Sequence, residues 1–321
     1  MTNITFDEKP FAIEDGESVV ECLERNNIQF PSSCKSGACQ SCLAQLTSGD
    51  MHQDWQRGLK DTYKAQNYFL PCIAKPQHNI SLQLPNTSNT ASCAIIQELF
   101  NLSYNVIAIR LKVENLNAWT PGQYLNLINH DDLIRSYSIA NLPSVDGYIE
   151  LHIKLSPKGL MSTWLKTHAK VGTKLLIRGP AGDCFYNNPH KEHFNMLLAA
   201  TGTGLAPLIA IIREALSQHH QGRITLLHGG CKEADLYDQA YLANLATHNK
   251  NFFYHCCVLS SDGNVVEAAI DKELKTLISE PQNTKAYICG PEETAKQLKK
   301  VAFLAGIASK NIFSDLFIQT K

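Results

Sequence analysis

Residues 34–42 read CKSGACQSC, which places Cys34, Cys39 and Cys42 at the spacing C-x4-C-x2-C. A fourth cysteine, Cys72, follows after a long gap within LPCIA at residues 70–74. Three thiols on so short a loop can surround one centre only if the backbone turns sharply, and Gly37 with its small neighbours allows that turn. The stretch therefore predicts a loop that supplies most of a four-thiolate metal site.

The spacing resembles that of plant-type ferredoxins, in which four cysteines hold a [2Fe-2S] cluster. Two other interpretations are a zinc site and four unrelated core cysteines. Structural zinc sites favour two C-x2-C pairs, whereas this chain has one such pair. We therefore expect Cys34, Cys39, Cys42 and Cys72 to be the ligands of a [2Fe-2S] cluster.

Length and charge limit what the rest of the chain does. The 321 residues exceed one ferredoxin-sized module, and a net charge of -1 gives no field that would recruit nucleic acid. Seven of the eleven cysteines lie outside the predicted cluster, an odd number that favours a reducing compartment over a disulfide framework. The N-terminus has no signal-peptide pattern, so the predicted location is the cytoplasm.

One uncharged stretch, residues 194–212, is long enough to span a bilayer. It contains Thr-Gly-Thr-Gly and a proline, which would interrupt a spanning helix at its centre. A buried strand, a glycine turn and a packed helix explain the stretch better, so we expect no membrane span.

Changes in hydrophobic rhythm predict three domains. Residues 1–88 indicate a small mixed sheet with one helix, and a polar stretch near residue 88 is interpreted as a linker. Residues 93–189 contain short strands separated by Gly and Pro turns, which is typical of a small antiparallel barrel. Residues 190–321 alternate strands with helices, which predicts a parallel, nucleotide-binding sheet. The predicted fold is a multidomain α+β, β-barrel and α/β chain, in which the first segment forms a β-grasp ferredoxin domain.

The second segment contains three short motifs, PGQY at residues 121–124, RSYS at residues 135–138 and GLMS at residues 159–162. Together they resemble the ferredoxin-NADP reductase superfamily, whose flavin domain has a P-G-Q-[YF] turn, an R-x-Y-[ST] motif and a G-x-x-S phosphate-binding turn. The resemblance implies that Arg135 holds the flavin pyrophosphate, Tyr137 stacks on the flavin ring and Ser138 hydrogen-bonds near N5. The remaining predicted flavin-site residues are Ser136, His152, Lys154, Gly159, Met161 and Ser162.

Two motifs of the third segment continue the resemblance. Residues 201–207 (TGTGLAP) follow an apolar strand and open a helix, so their glycines allow close approach of a dinucleotide at the helix N-terminus. Residues 289–291 (CGP) match the turn that places a thiol beside the nicotinamide ring, a positioning role. The predicted dinucleotide-site residues are Thr201, Gly202, Thr203, Gly204, Pro207, Cys289, Gly290 and Pro291.

The chain ends in FSDLFIQTK, residues 313–321. Members of the superfamily end near a carboxylate and an aromatic residue, the aromatic shielding the flavin until nicotinamide displaces it. Asp315 and Phe317 have the matching spacing, although four residues follow them and Glu is usual in place of Asp. A plain edge strand with a solvated Asp is the alternative. With Ser138 and Cys289, these two complete the predicted catalytic group.

Cofactor preference follows from a missing cation. Superfamily members that recognise the 2'-phosphate of NADPH have Ser-Arg after the third strand of the nucleotide domain, whereas residues 258–262 here read VLSSD. The absence of that arginine favours NADH over NADPH. Lys232 and Arg223 lie on neighbouring segments and are the alternatives that would restore a phosphate contact.

Together the motifs resemble the reductase components of multicomponent oxygenases whose ferredoxin is N-terminal, which implies FAD as the flavin. NADH delivers two electrons as hydride, but a [2Fe-2S] cluster accepts one, so the flavin must release the pair singly to the cluster and then to a protein acceptor. The expected acceptor is a terminal oxygenase; a sugar-nucleotide dehydratase, a desaturase or another reductive enzyme is the alternative, as is a redox-sensing module. We also expect a cluster potential above the roughly -400 mV of plant-type ferredoxins.

Overall fold

The computed structural model describes residues 2–32, 35–37, 42–85, 91–116, 119–131 and 133–317. The chain divides into two compact units, Met1–Ser88 and Asn89–Lys321. Each unit has its own buried core.

The first unit is a mixed sheet packed against a helix. Its elements are β1 (Asn3–Phe6), β2 (Lys9–Ala12), α1 (Val19–Arg25), β3 (Ala44–Ser48), α2 (Asp61–Ala65), β4 (Tyr68–Phe69) and β5 (Ile80–Gln83). The strand order is β2-β1-β5-β3-β4, with β1 and β5 parallel. Helix α1 begins with a capping box, in which the Glu21 N–H donates to Ser18 Oγ and the Ser18 N–H donates to the Glu21 carboxylate. This arrangement confirms the predicted β-grasp fold.

The first half of the second unit is an antiparallel barrel. Its elements are β6 (Ser92–Asn101), β7 (Val106–Val113), β8 (Tyr124–Ile128), β9 (Ile134–Ser138), α3 (Pro143–Asp146), β10 (Ile149–Lys154), α4 (Leu160–Thr167) and β11 (Lys174–Ala181). The strand order is β10-β7-β6-β11-β8-β9. A bridge between Ile139, just after β9, and Leu151 on β10 joins the two ends of that order, so the sheet closes on itself.

The second half is a parallel sheet covered by helices. Its elements are β12 (Asn195–Thr201), α5 (Leu205–Ser217), β13 (Ile224–Lys232), α6 (Gln239–His248), β14 (Phe252–Ser260), β15 (Val266–Glu267), α7 (Ile270–Leu277), β16 (Thr284–Pro291), α8 (Glu292–Leu304) and β17 (Ile312–Phe317). The order is β15-β14-β13-β12-β16-β17. The chain reverses its direction of travel across the sheet between β12 and β16, and ligands of such sheets bind at the carboxyl ends of the strands at that point.

The uncharged stretch at residues 194–212 lies in the centre of this sheet. It forms β12, a turn at Gly202–Gly204 and the first part of α5. Leu198 and Ala200 pack into the core under α5, while Leu197 and Ala199 pack into the core under α8. A strand that is buried on both faces has no polar side, which explains the continuous apolar run. Within the described ranges, no helix has the length and apolar character needed to cross a membrane.

Candidate active site and redox centres

Two of the four predicted cluster ligands meet in the core of the first unit. Cys42 and Cys72 are both buried, and their sulfur atoms lie 3.3 Å apart. Burial raises the pKa of the Cys42 thiol to about 12, so at neutral pH that sulfur keeps its proton unless a metal ion replaces it. Two convergent thiols in an apolar site fit a metal–sulfur centre. Cys34 and Cys39 lie outside the described residues.

A cleft of about 440 Å³ in the second unit is lined by β9, by the end of β10 and by the end of β17. From β9 it receives the predicted flavin-site residues Arg135, Ser136, Tyr137 and Ser138. Burial raises the pKa of Tyr137, so its phenol stays neutral and presents an aromatic face. Such a cleft, with a guanidinium at one place and an aromatic face at another, fits a flavin nucleotide.

Ser138 and Asp315 are hydrogen-bonded to each other in this cleft. The Ser138 hydroxyl donates to Asp315 Oδ2 over 2.6 Å, and Asp315 is brought there by β17. Burial raises the pKa of Asp315 to about 6, although the bond from Ser138 acts in the opposite direction. The pair therefore gains or loses a proton close to neutral pH, which suits a site where protons accompany electron transfer. Phe317 lines the same cleft.

His152 is held by partners on both ring nitrogens. Its Nδ1 lies 3.1 Å from the Tyr237 hydroxyl and its Nε2 lies 3.2 Å from the Glu150 carboxylate. Glu150 in turn accepts a 2.6 Å hydrogen bond from Arg110. These contacts fix the ring in the wall of the cleft, between the barrel and the parallel-sheet half.

Ser162, in the first turn of α4, makes its side-chain hydrogen bonds to the backbone of the segment just before the helix. Ser162 Oγ accepts from the Ser156 N–H and donates to the Lys154 carbonyl. The Met161 side chain is buried in the barrel core, so Met161 offers a cofactor only its backbone. A phosphate at this place would meet the free backbone N–H groups at the start of α4, beside Gly159.

A second cleft, of about 480 Å³, lies at the carboxyl ends of β12, β13 and β14. Lys154 lines both clefts, and Gly202 lines the second while its neighbour Thr203 lines the first, so the two clefts adjoin. Gly202 has φ +54°, and a Cβ on Gly204 would lie 2.2 Å from the Cys289 carbonyl oxygen. The turn therefore depends on glycine for its backbone conformation and for its contact with β16.

Of the remaining predicted dinucleotide-site residues, Pro207, Cys289 and Gly290 line neither cleft. Thr201 and Pro291 line the second cleft, and Pro207 is buried in the first turn of α5, where a missing N–H costs nothing. Cys289 is buried next to Gly290 at the end of β16, with its sulfur 3.6 Å from that of Cys184.

Glu233, directly after β13, is hydrogen-bonded to the loop that follows β14. The Glu233 carboxylate accepts hydrogen bonds from the Ser261 hydroxyl (2.7 Å) and from the backbone N–H groups of Asp262 (2.9 Å) and Asn264 (3.2 Å). The Ser261 bond, followed by the backbone bonds, keeps the pKa of Glu233 below its ordinary value, so Glu233 is ionised at neutral pH.

The suggestion that Arg223 could replace a phosphate-binding arginine is wrong. Arg223 precedes β13 at its amino end and stacks on Phe253, 4.1 Å from the ring centroid. The clefts lie at the opposite, carboxyl end of the strands. Lys232 does lie at the carboxyl end, where it is exposed.

Sequence reasoning missed two residues of interest, Glu233 and Cys184. Glu233 directly follows β13, and an acidic residue at the end of a strand in such a sheet can reach a bound nucleotide. Its position after a predicted strand could therefore have identified it from the sequence. Cys184 carries no spacing signal, because its contact with Cys289 joins residues 105 positions apart.

Family models match three consecutive parts of the chain. A 2Fe-2S iron-sulfur cluster binding domain matches residues 4–77, an oxidoreductase FAD-binding domain matches residues 93–186, and an oxidoreductase NAD-binding domain matches residues 198–300. The toluate 1,2-dioxygenase electron transfer component of Pseudomonas putida is 30% identical over 319 residues, covering 94% of this chain and 93% of that protein. The chain belongs to the ferredoxin-fused branch of the ferredoxin-NADP reductase family.

Other similar proteins agree on this assignment. The reductase component of the naphthalene 1,2-dioxygenase system of Pseudomonas putida is 26% identical, covering 94% of each chain. The crystal structure of an Amycolatopsis cytochrome P450 reductase shares the fold, with a TM-score of 0.69, 24% identity and 99% coverage of both chains. The chain is accordingly an NAD(P)H-dependent oxidoreductase that carries electrons from nicotinamide through FAD to a [2Fe-2S] cluster.

Proposed function

We propose that this reductase takes hydride from NADH and delivers single electrons to the oxygenase component of a multicomponent oxygenase. The observation that carries the proposal is that the two clefts adjoin at Lys154 and that the hydrogen-bonded Ser138–Asp315 pair lines the first of them. The toluate and naphthalene relatives, which are named as oxygenase components, support the choice of acceptor.

Ser138, Cys289, Asp315 and Phe317 are proposed as the catalytic group. FAD, when bound, supplies the chemistry that accepts a hydride and returns single electrons. Ser138 holds a hydroxyl proton toward the cleft or toward Asp315 Oδ2, and Asp315 exchanges a proton near pH 6. The buried Cys289 shapes the place of the nicotinamide ring, and Phe317 covers the mouth of the cleft until that ring arrives.

The cofactors are proposed to follow the domain limits 1–88, 93–189 and 190–321. The first segment holds the cluster through Cys34, Cys39, Cys42 and Cys72. The second holds FAD through the residues of β9, through His152 and Lys154, and through the turn at residues 159–162. The third holds the dinucleotide through the turn at residues 201–204, with Gly290 and Pro291. Because the donor is an intracellular metabolite, a cytoplasmic location is part of the proposal.

NADH is the proposed donor because Glu233 carries a negative charge between Cys231 and Asp235, which both line the second cleft, and that charge would repel a 2'-phosphate. In E233Q we expect the ratio of the NADPH and NADH dissociation constants to fall at least tenfold, because the charge disappears while most hydrogen bonds remain. E267Q is the matched control: Glu267 accepts the Ser261 N–H of the same loop over 3.1 Å, and its loss should leave the ratio unchanged. An equal ratio in E233Q and the native chain would remove Glu233 from cofactor selection.

The acceptor is tested by reconstitution with the purified oxygenase component of toluate 1,2-dioxygenase. We expect NADH-dependent oxygen uptake and hydroxylated product, with product formation abolished when the reductase is omitted. Cytochrome c serves as a non-physiological acceptor that shows the electron chain is intact. Rapid cytochrome c reduction with no transfer to the oxygenase component would direct the search to another class of acceptor, such as a dehydratase or a desaturase.

A further inference from the structure

Two buried thiols meet beside the junction of the clefts. Cys184 lies in the segment after β11 of the barrel, and Cys289 lies in β16 of the parallel sheet. Their sulfur atoms are 3.6 Å apart, and each residue is exposed to 2% or less. The pair is therefore a contact between the two halves of the 89–321 unit, made by side chains that can be cross-linked.

Packing holds the backbone of both cysteines in place. A Cβ on Gly122 would lie 2.9 Å from the Cys184 carbonyl oxygen, and one on Gly204 would lie 2.2 Å from the Cys289 carbonyl oxygen. Both segments are thus packed closely against neighbouring turns. The sulfur atoms must approach by about 1.5 Å to reach the roughly 2.05 Å of a disulfide.

We propose that Cys184 and Cys289 form a peroxide-sensitive dithiol, which closes to a disulfide and thereby stops reduction by nicotinamide. One thiol first reacts with hydrogen peroxide, giving a sulfenic acid and one water. The second thiol attacks that sulfur, the S–S bond forms and a second water leaves. The two cysteines lose two hydrogens and two electrons in all, and the peroxide is reduced to two waters.

Closure would alter the site through Cys289. The bond draws the Cys289 sulfur toward the barrel and away from the place proposed for the nicotinamide ring, and it fixes β16 to the segment after β11. Reduction by a dithiol restores the starting state. This consequence rests on the proposed role of Cys289, whereas the cross-link itself does not.

The electrostatic surroundings make the Cys184 thiol slow to react at neutral pH. The hydrogen bond with Cys289 and then burial raise the pKa of Cys184, and the carboxylates of Asp315 and Asp183 act in the same direction. Thiolate is the reactive form, so cross-linking should be faster at pH 9 than at pH 7. Slow reaction at neutral pH protects the reductase during turnover and leaves oxidation to sustained peroxide.

The test uses the full chain carrying FAD and its cluster, treated with hydrogen peroxide and digested with trypsin without reduction. We expect the peptides of residues 179–191 and 286–296 to be joined, at a mass two hydrogens below their sum, and to separate with dithiothreitol. NADH oxidation with ferricyanide should fall at least tenfold and recover with dithiothreitol. C184A should show no recoverable loss, while C93A, which removes an exposed thiol of the same unit, should behave as the native chain does.

Two results would overturn the proposal. One is that the 179–191 and 286–296 peptides stay separate while Cys289 is unmodified or is oxidised to a sulfinic acid. The other is a loss of activity in C184A that dithiothreitol reverses as fully as in the native chain. A chain that cross-links as expected but never oxidises NADH would instead contradict the proposed function and leave the dithiol in place.

Discussion

Replacing Asp315 with Asn should make the reductase more stable, by an amount that grows with pH. Asp315 has an ordinary pKa of 3.8 and a pKa of about 6 in the folded chain. Below pH 3.8 both the folded and unfolded chains are protonated there, so burial costs nothing. As the pH rises toward 6 the unfolded chain ionises first, and native stability falls. Because one pKa unit corresponds to about 1.4 kcal/mol, the cost is about 1.5 kcal/mol at pH 5 and about 3 kcal/mol at pH 8.

Urea unfolding of the FAD-loaded full chain, followed by flavin fluorescence, measures this cost. We expect the free energy of unfolding of D315N to exceed that of the native chain by about 1.5 kcal/mol more at pH 8 than at pH 5. S138A removes the hydrogen bond that lowers the Asp315 pKa, so its pH transition should move upward. A pH-independent difference between D315N and the native chain would refute the reasoning. The gain in stability should accompany slower hydride transfer, as stopped-flow measurements would show.

Three further changes test other parts of the structure. C72S should abolish NADH-dependent cytochrome c reduction and keep NADH oxidation by ferricyanide, because the dye takes electrons from the flavin; loss of both activities would mean that the units do not work separately. G204A places a Cβ 2.2 Å from the Cys289 carbonyl oxygen, which costs about 1–3 kcal/mol in strain. Calorimetry should therefore show NAD+ binding weakened at least tenfold at unchanged FAD content. An affinity equal to that of the native chain would contradict the packing at this glycine. R213M breaks the two hydrogen bonds, 2.7 and 2.9 Å long, that join α5 to Asp146 of α3, and it should lower the free energy of unfolding by about 1–3 kcal/mol. The double variant R213M/D146N should recover part of that loss. No recovery would assign the loss to packing alone.

Sequence reasoning succeeded where the signal was local. The C-x4-C-x2-C spacing, the glycine turn and the change of rhythm near residue 190 each depend on neighbouring residues, and together they predicted the β-grasp, barrel and parallel-sheet folds. Strand β6 has a weak sequence signal because only Ala94 and Ile96 of its ten residues are buried, so no regular alternation marks it.

What remained hidden was contact between distant residues. Ser138 and Asp315 are 177 positions apart and meet only because β9 and β17 end at the same cleft. The position of Arg223 was misjudged because closeness in sequence to a strand does not tell which end of that strand the side chain occupies. Glu233 accepts hydrogen bonds from the loop at residues 261–264, and the two segments become neighbours only when β13 and β14 pair in the sheet.

The most direct test of the account is an anaerobic titration of the full chain with NADH, followed by visible absorbance and low-temperature electron paramagnetic resonance. The account predicts that flavin and cluster absorbance bleach together and that the rhombic signal of a reduced [2Fe-2S] cluster appears. Flavin that is reduced while the cluster stays oxidised would contradict electron delivery through the cluster. A chain that responds only when NADPH is added would contradict NADH as the donor.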